Sequence, residues 1–430
     1  MRARIDYWKS RLRSSFWLVP TAMTSAALAM ALIMLGIDAA TVGTVTGGWQ
    51  DAFAVGPEGA RLVLSTIAGS MISVASLVFS MTLVALTLAA SSIGPRVLDR
   101  YMANWVNQVA LGLFLATFVY ALIVLCAVRG GDPPFVPRLA LGLALALAIL
   151  SFGWLIYFIH ELAASIQVDN AIASVGRGLL ASLEDRARDD EPPRQGPDRL
   201  PEPDPGSAVT ADGSGYVQTV DTEALCQAAI DHDVLIVMDI RPGDFLLPTS
   251  SLGRVAGLGT PELADAIRAA VVLGPRRTPA QDLKFSINLL VEIAARALSP
   301  GVNDYFTALA CIDHLAAVLA RVLADGMPDP RHADGSGRLR LVLRPVTAID
   351  LVDAVFSPLR QMARNSLPVQ LRMIEVLTML TASAGTAGER DRLRHHGELI
   401  ADAARRDVDN EVDLQAIESH CERLAEAAGS

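Results

Sequence analysis

The apolar positions of this chain are gathered into long runs near its start and spread into helical and strand-like periods after residue 160. Four runs, at residues 16–37, 62–93, 108–128 and 136–159, reach the roughly 20 residues that a helix needs to cross hydrocarbon. The second is the longest, with no charge between Arg61 and Arg96. It is also rich in small and hydroxyl side chains. Thr66, Gly69, Ser73, Ser76, Ser80, Thr87 and Ser91 recur at intervals of three, four or seven. At about 100° per residue they fall along one face of one helix. Such a stripe serves close packing, where small residues let backbones approach, or it lines water in a pore or substrate path. No ionisable residue interrupts it, which disfavours a pump or proton relay. A pore lining predicts that cysteines at positions 73, 76, 80 and 87 react with water-soluble thiol reagents while those at 74, 78 and 84 do not. A plain anchor predicts that both sets are protected.

After residue 160 the period changes. Ile166, Val168, Ile172, Val175, Leu179 and Leu183 continue the fourth run as a helical extension over residues 166–189. Residues 190–215 are rich in Pro, Gly, Asp and Glu, the composition of a linker. Strands are expected at 216–220, 234–240 and 245–247, with a helix at 222–230 between the first two. Helices are expected at 261–272, 279–298, 304–323, 347–364 and 369–383, with a strand at 339–343, and a charged helical pair follows at 389–406 and 410–427. The fold class read from this pattern is a mainly α membrane protein. A four-helix transmembrane domain (1–165) precedes a cytoplasmic α+β then helical domain (216–430).

Charge supplies the orientation. Arg2, Arg4, Lys9, Arg11 and Arg13 precede the first run, Asp38, Asp51 and Glu58 follow it, and Arg96 and Arg100 follow the second. The positive-inside rule then places both termini in the cytoplasm of a bacterial inner membrane, although Arg129 and Arg138 run mildly against it. The first run is too long for a signal-peptide core and is read as an uncleaved span. A hydrophobic content of 52% and a mean hydropathy of +0.38 agree with a membrane class. Residues 1–160 hold ten basic and six acidic side chains, and the remainder 26 and 40. That acidic excess disfavours nucleic acid as a partner. Cys126, Cys226, Cys311 and Cys421 are scattered, so neither disulfides nor structural zinc are expected.

Candidate chemistry is sparse. No phosphate loop, dinucleotide fingerprint, zinc-protease helix or nucleophile elbow occurs. His395 and His396 are adjacent and so face different sides of a helix. Asp407, Asp409, Glu411, Asp413 and Glu418 match calcium-loop offsets, but Val412 stands where the loop needs glycine. No metal, cofactor or catalytic residue is therefore assigned, and an enzyme is not expected. The densest candidate is an elbow. Asp282, Phe285, Leu289, Leu290, Ile293 and Leu298 mark an amphipathic helix, Ser299-Pro300-Gly301 breaks it, and Asn303 or Asp304 can cap the next. Its bland role is to fix two packed helices. Its functional role would gather Arg296, Ser299, Asn303 and Asp304 around an ion or small ligand, without a base to activate Ser299.

The elbow also carries a resemblance. The residues ALSPGVND (297–304), followed by Thr307-Ala308 and Cys311-Ile312-Asp313, resemble the bacterial membrane family called domain of unknown function 2254. Phe16-Trp17 with Val19-Pro20, FSMTLVALTLAASSIGPR (79–96), GYVQ (215–218) and RPGDF (241–245) fit it as well. Tyr305 departs from the proline expected after the Asn-Asp pair. The resemblance implies an N-terminal membrane domain and a cytoplasmic C-terminal domain, and implies no activity. Two functions remain in view. One is a homo-oligomeric channel lined by the second helix, with the acidic domain as vestibule or gate and cations favoured. The other is a membrane-anchored scaffold or sensor whose cytoplasmic domain binds a partner or small ligand.

Overall fold

The structure, a computed structural model, describes residues 17–41, 55–92, 105–130, 134–165, 167–189 and 208–429. The chain divides between Gln167 and Val168 into two compact units. In the first are α1 (Leu18–Thr41), α2 (Pro57–Ser92), α3 (Trp105–Ala127) and α4 (Arg138–Ser165). Each is long and apolar enough to cross a membrane. Phe16 and Ile93, at the edges of two of the expected runs, lie outside the described residues, as does Gly94-Pro95.

Helix α3 is the core of this unit and packs against α1, α2 and α4. Phe114, Tyr120, Ala121 and Val124 are fully buried on it. Close approach to α1 depends on Gly112, where a Cβ would stand 2.7 Å from Met23 Sδ and 3.1 Å from Pro20 Cα. Small residues at a helix crossing allow this in an apolar medium.

Polar side chains then tie the helix ends, because a buried backbone group needs a partner. Arg61 Nη2 donates to Val128 O at 2.9 Å, past the C-terminus of α3. Asp38 is the main surprise. Its place in the sequence suggests an external loop, yet it lies in the last turn of α1 and is nearly buried. Its two carboxylate oxygens accept from Leu139 N at 3.1 Å and Ala140 N at 2.9 Å, so it caps α4 from another helix. Tyr120 Oη donates to Ala140 O at 3.1 Å, and Thr117 and Ser151 share a buried hydrogen bond of 3.0 Å.

The second unit begins with α5 (Val168–Asp189). The expected extension of the fourth run is thus a separate helix. It buries Ile172, Val175 and Leu179 and packs on two later helices, α8 (Leu283–Ala297) and α9 (Tyr305–Asp325). Helix α9 is itself long and apolar enough to span a membrane, but it is amphipathic and its apolar face, Ala308, Ile312, Leu315 and Leu319 among it, is buried in this unit.

Two sheets follow, built from β1 (Ala208–Thr210), β2 (Gly215–Val220), β3 (Leu235–Met238), β4 (Phe245–Leu246), β5 (Ser251–Ala256), β6 (Val271–Gly274), β7 (Arg331–Ala333) and β8 (Leu339–Val342). One is ordered β1-β5-β3-β8-β7 and the other β4-β2-β6. Within the described residues every strand pair is antiparallel except β3–β8. Helices α6 (Thr222–Asp231) and α7 (Pro261–Ala270) cover them, with Leu225, Ile236, Leu263 and Ile267 at the centre of the shared core.

Two sequence readings change here. Residues 208–215 are not the end of a linker, since β1 and the first residue of β2 are already paired there. Val271 and Val272 are not helical. They leave α7 and pair with Val220 and Thr219, as β-branched residues favour.

Helices α10 (Ala348–Met362), α11 (Leu367–Thr381), α12 (Ala387–Asp407) and α13 (Glu411–Gly429) complete the unit. Their starts follow local rules. Thr347 with Asp350 and Thr386 with Glu389 form capping boxes on α10 and α12.

Candidate functional site

The packing face of α2 carries Ala60, Leu64, Ile67, Ala68, Ala75, Val78 and Ala85, all buried. At about 100° per residue, the polar stripe lies on roughly the opposite side of the same helix. Thr66, Gly69, Ser73, Ser76, Ser80 and Thr87 are accordingly exposed, and the side chain of Ser91 lies outside the described residues. A Cβ added to Gly69 would meet nothing within 4 Å. The hydroxyls are not idle. Thr66, Ser73, Ser76 and Thr87 donate to the carbonyls four residues back, at 2.8, 2.9, 3.0 and 2.9 Å. Val84, which the sequence reading sets among the protected positions, is 57% exposed and lies toward the stripe.

The elbow joins α8 to α9 through a compact set of local bonds. Ser299 Oγ donates to Arg296 O at 2.7 Å, Asn303 N to Ser299 O at 2.9 Å and Asp304 N to Ala297 O at 2.8 Å. Asn303 has a φ of 51°, a left-handed conformation that asparagine tolerates better than most residues. Asp304 caps α9, accepting from Thr307 Oγ1 at 2.6 Å and Thr307 N at 3.1 Å. Those bonds, the hydroxyl first, hold its carboxyl below the usual range. Arg296 Nη2 reaches Glu292 at 3.4 Å, while its Nε is buried without a partner. Ser299 and Asp304 therefore spend side-chain bonds on the turn and the α9 cap, while Asn303 contributes its backbone. Tyr305 occupies the first turn of α9, its ring centroid 4.2 Å from that of Phe306 and tilted 33° to it.

The histidine pair separates as the sequence suggests. His395 faces Glu398 at 3.9 Å, and His396 is buried with Nε2 2.9 Å from Asp353 Oδ1. Among the described residues no three His, Cys, Asp or Glu side chains gather as metal donors. Burial pushes the Cys311 thiol up to about 12 and Cys226 to about 11, the wrong direction for a nucleophile. Sequence reasoning missed the acceptor role of Asp38, and it read RPGDF as part of a resemblance and its Pro242-Gly243-Asp244 as a turn without assigning that turn a role. Its Pro-Gly pair signals a turn, but no local pattern reports what that turn rests on.

Comparison with known proteins narrows the class. An uncharacterized protein of Mycobacterium bovis is 28% identical to this chain over 436 residues, covering 99% of the chain and 82% of the relative. Two uncharacterized proteins from strains of Mycobacterium tuberculosis are 28% identical over 436 and 438 residues, with the same coverage. No solved structure matches. The family model described as "Predicted membrane protein (DUF2254)" matches residues 13–379, a span that contains the four apolar helices, the RPGDF turn and the elbow. The chain is thus a multi-pass membrane protein of the DUF2254 family.

Proposed function

We propose that this chain is the protomer of a homo-oligomer in the bacterial inner membrane, a channel-like assembly with α2 facing the space between copies. Both termini are cytoplasmic in this reading, and the second unit regulates the assembly from that side. One observation carries it: the small and hydroxyl stripe of α2 points away from α2's own packing face. A pore within a single four-helix unit would need that stripe turned inward, where alanine, leucine and valine stand instead. The stripe is therefore available to neighbouring copies, whose backbones small residues allow to approach. Residues 161–430, with 26 basic and 40 acidic side chains, would concentrate cations near such a mouth.

A second reading, an anchored scaffold or sensor, draws on a different observation. Four stripe hydroxyls already donate to their own helix, so the face can enter helix contact without water. Cysteine accessibility separates the two, in a background without the four native cysteines. A pore is expected to leave positions 73, 76, 80 and 87 reactive toward a water-soluble thiol reagent and 75, 78 and 85 protected. Val84 is no control, given its exposure. Uniform protection would overturn the pore and leave the scaffold, and reactive positions justify flux recordings in planar bilayers.

A further inference from the structure

A cavity of 190 Å³ opens in the second unit where three segments meet. Its walls are the turn Arg241–Asp244, the approach and first turn of α8 (Arg277 and 281–284), and Val346 ahead of α10. The turn is built for its place. Asp244 N donates to Arg241 O at 3.2 Å, with Pro242 at the second position and Gly243 at the third, where φ is 96°. That is the type II pattern, which calls for glycine. Glycine is needed twice over, since a Cβ at 243 would collide with the Asp282 carboxylate. The turn thus rests on the buried Asp282 and its half-buried partner Arg277, joined at 2.7 Å through Nε and 2.6 Å through Nη2.

The charges around this cavity are unevenly satisfied. Asp282 is used by Arg277 and by Phe285 N at 3.0 Å, as the cap of α8. Asp350 is used by Lys284 Nζ at 2.8 Å and by the α10 capping box. Asp244 accepts from Arg241 N at 3.1 Å and from Arg344 Nη1 at 3.3 Å. The Arg241 guanidinium is different. Its side chain is only 20% exposed and forms ion pairs with Asp244 at 3.7 Å and Asp350 at 3.6 Å, but it makes no hydrogen bond among the described residues. Its charge is thus balanced, but the donors of its fork are not taken up by hydrogen bonds, and a planar or tetrahedral oxyanion is what such a fork fits. Beside it, Leu283 and Lys284 hold the first two positions of α8, where amides have no carbonyl four residues back. Among the lining residues Arg241, Arg277 and Lys284 outnumber Asp244 and Asp282, in a half of the chain that is otherwise acidic.

We propose that this cavity binds a phosphate-class oxyanion, as inorganic phosphate or as the phosphate of a small phosphomonoester, on Arg241, Lys284 and the first-turn amides of α8. The volume admits such a group with little besides, and falls below the roughly 300 Å³ at which sites for larger organic ligands begin. The site joins the RPGD turn of the α/β part to the first turns of α8 and α10. It is independent of whether α2 lines a pore.

The test uses the full chain in detergent or nanodiscs. Inorganic phosphate and glycerol phosphate are titrated against chloride at matched ionic strength, by calorimetry and by the thermal midpoint. Wild-type protein is expected to bind either phosphate probe saturably and to ignore chloride. Arg241→Gln is expected to weaken binding at least tenfold, Arg241→Lys and Lys284→Gln less, and a distant change, Arg423→Gln, not at all. Tighter binding of glycerol phosphate would assign the site to a phosphomonoester, and equal or weaker binding to the free ion. Absence of saturable binding in the wild type, or binding that Arg241→Gln leaves within twofold, would overturn the proposal. Should Arg241→Gln fail to fold, Arg241→Lys and Lys284→Gln carry the same comparison.

Discussion

His396 is buried beside Asp353, which also receives both ends of the Arg392 fork at 2.6 Å, and its Nδ1 has no partner. Burial is the first cause that lowers its pKa from 6.5, outweighing the pull of Asp353. The neutral ring is therefore the folded form, and the unfolded chain takes up the proton first as pH falls. The stability tied to this neutrality is full above about pH 6.5 and is lost as pH drops through the lowered value. We expect the thermal midpoint of His396→Gln to fall less than that of the wild type between pH 7 and pH 5. Equal slopes would remove His396 from the account. At the elbow, Asp304→Ala is expected to cost about 1 kcal/mol through loss of the α9 cap. Asn303→Val is expected to cost a further ~1–2 kcal/mol, because a β-branched residue resists positive φ, while Asn303→Gly leaves stability unchanged or higher. Thermal unfolding of the three variants checks the order.

Helices carry two faces with separate uses, and substitutions can address them one at a time. Gly112→Leu would drive a side chain into Met23 and Pro20 at the α1–α3 contact. Overpacking of this kind costs about 1–3 kcal/mol, so folded yield and thermal midpoint should both drop. Gly69→Leu acts on the opposite kind of surface, where nothing lies within 4 Å in one protomer. Its expected effect is an unchanged monomer fold and a weakened oligomer, read as a lower mass in nanodiscs. An unchanged mass would remove α2 from the interface.

The whole molecule divides where the sequence does not advertise it. Helix α5 follows the fourth apolar helix in the chain but belongs to the second unit, burying Ile172, Val175 and Leu179. A fragment beginning at Val168 is therefore expected to unfold cooperatively. One beginning at Ala208 would leave the matching surfaces of α8 and α9 bare, and is expected to melt lower or aggregate. Circular dichroism melts of the two fragments decide it, and equal midpoints would place α5 outside the folded unit.

Much of this was legible from residues alone, wherever the signal is local. Long uncharged runs specify helices, because in hydrocarbon the backbone must satisfy itself. Thr347 and Asp304 mark helix starts, since a cap needs only its own next turn, whereas Asp282, read inside a helix from 279, is the cap of α8. The small-residue stripe of α2 was likewise plain, periodicity being a property of one helix. What periodicity could not state is which way that face turns, and only the packing of α3 on Ala75, Val78 and Ala85 decided it. The short strands β1, β5 and β6 escaped for a related reason: a strand of three to six residues is defined by partners far along the chain. Asp38 meets its amides some hundred residues away, and Arg241 pairs with Asp350 and shares a cavity with Lys284 only through the tertiary fold. Local chemistry chose the elements, and long-range contact chose their faces and the cavity between them.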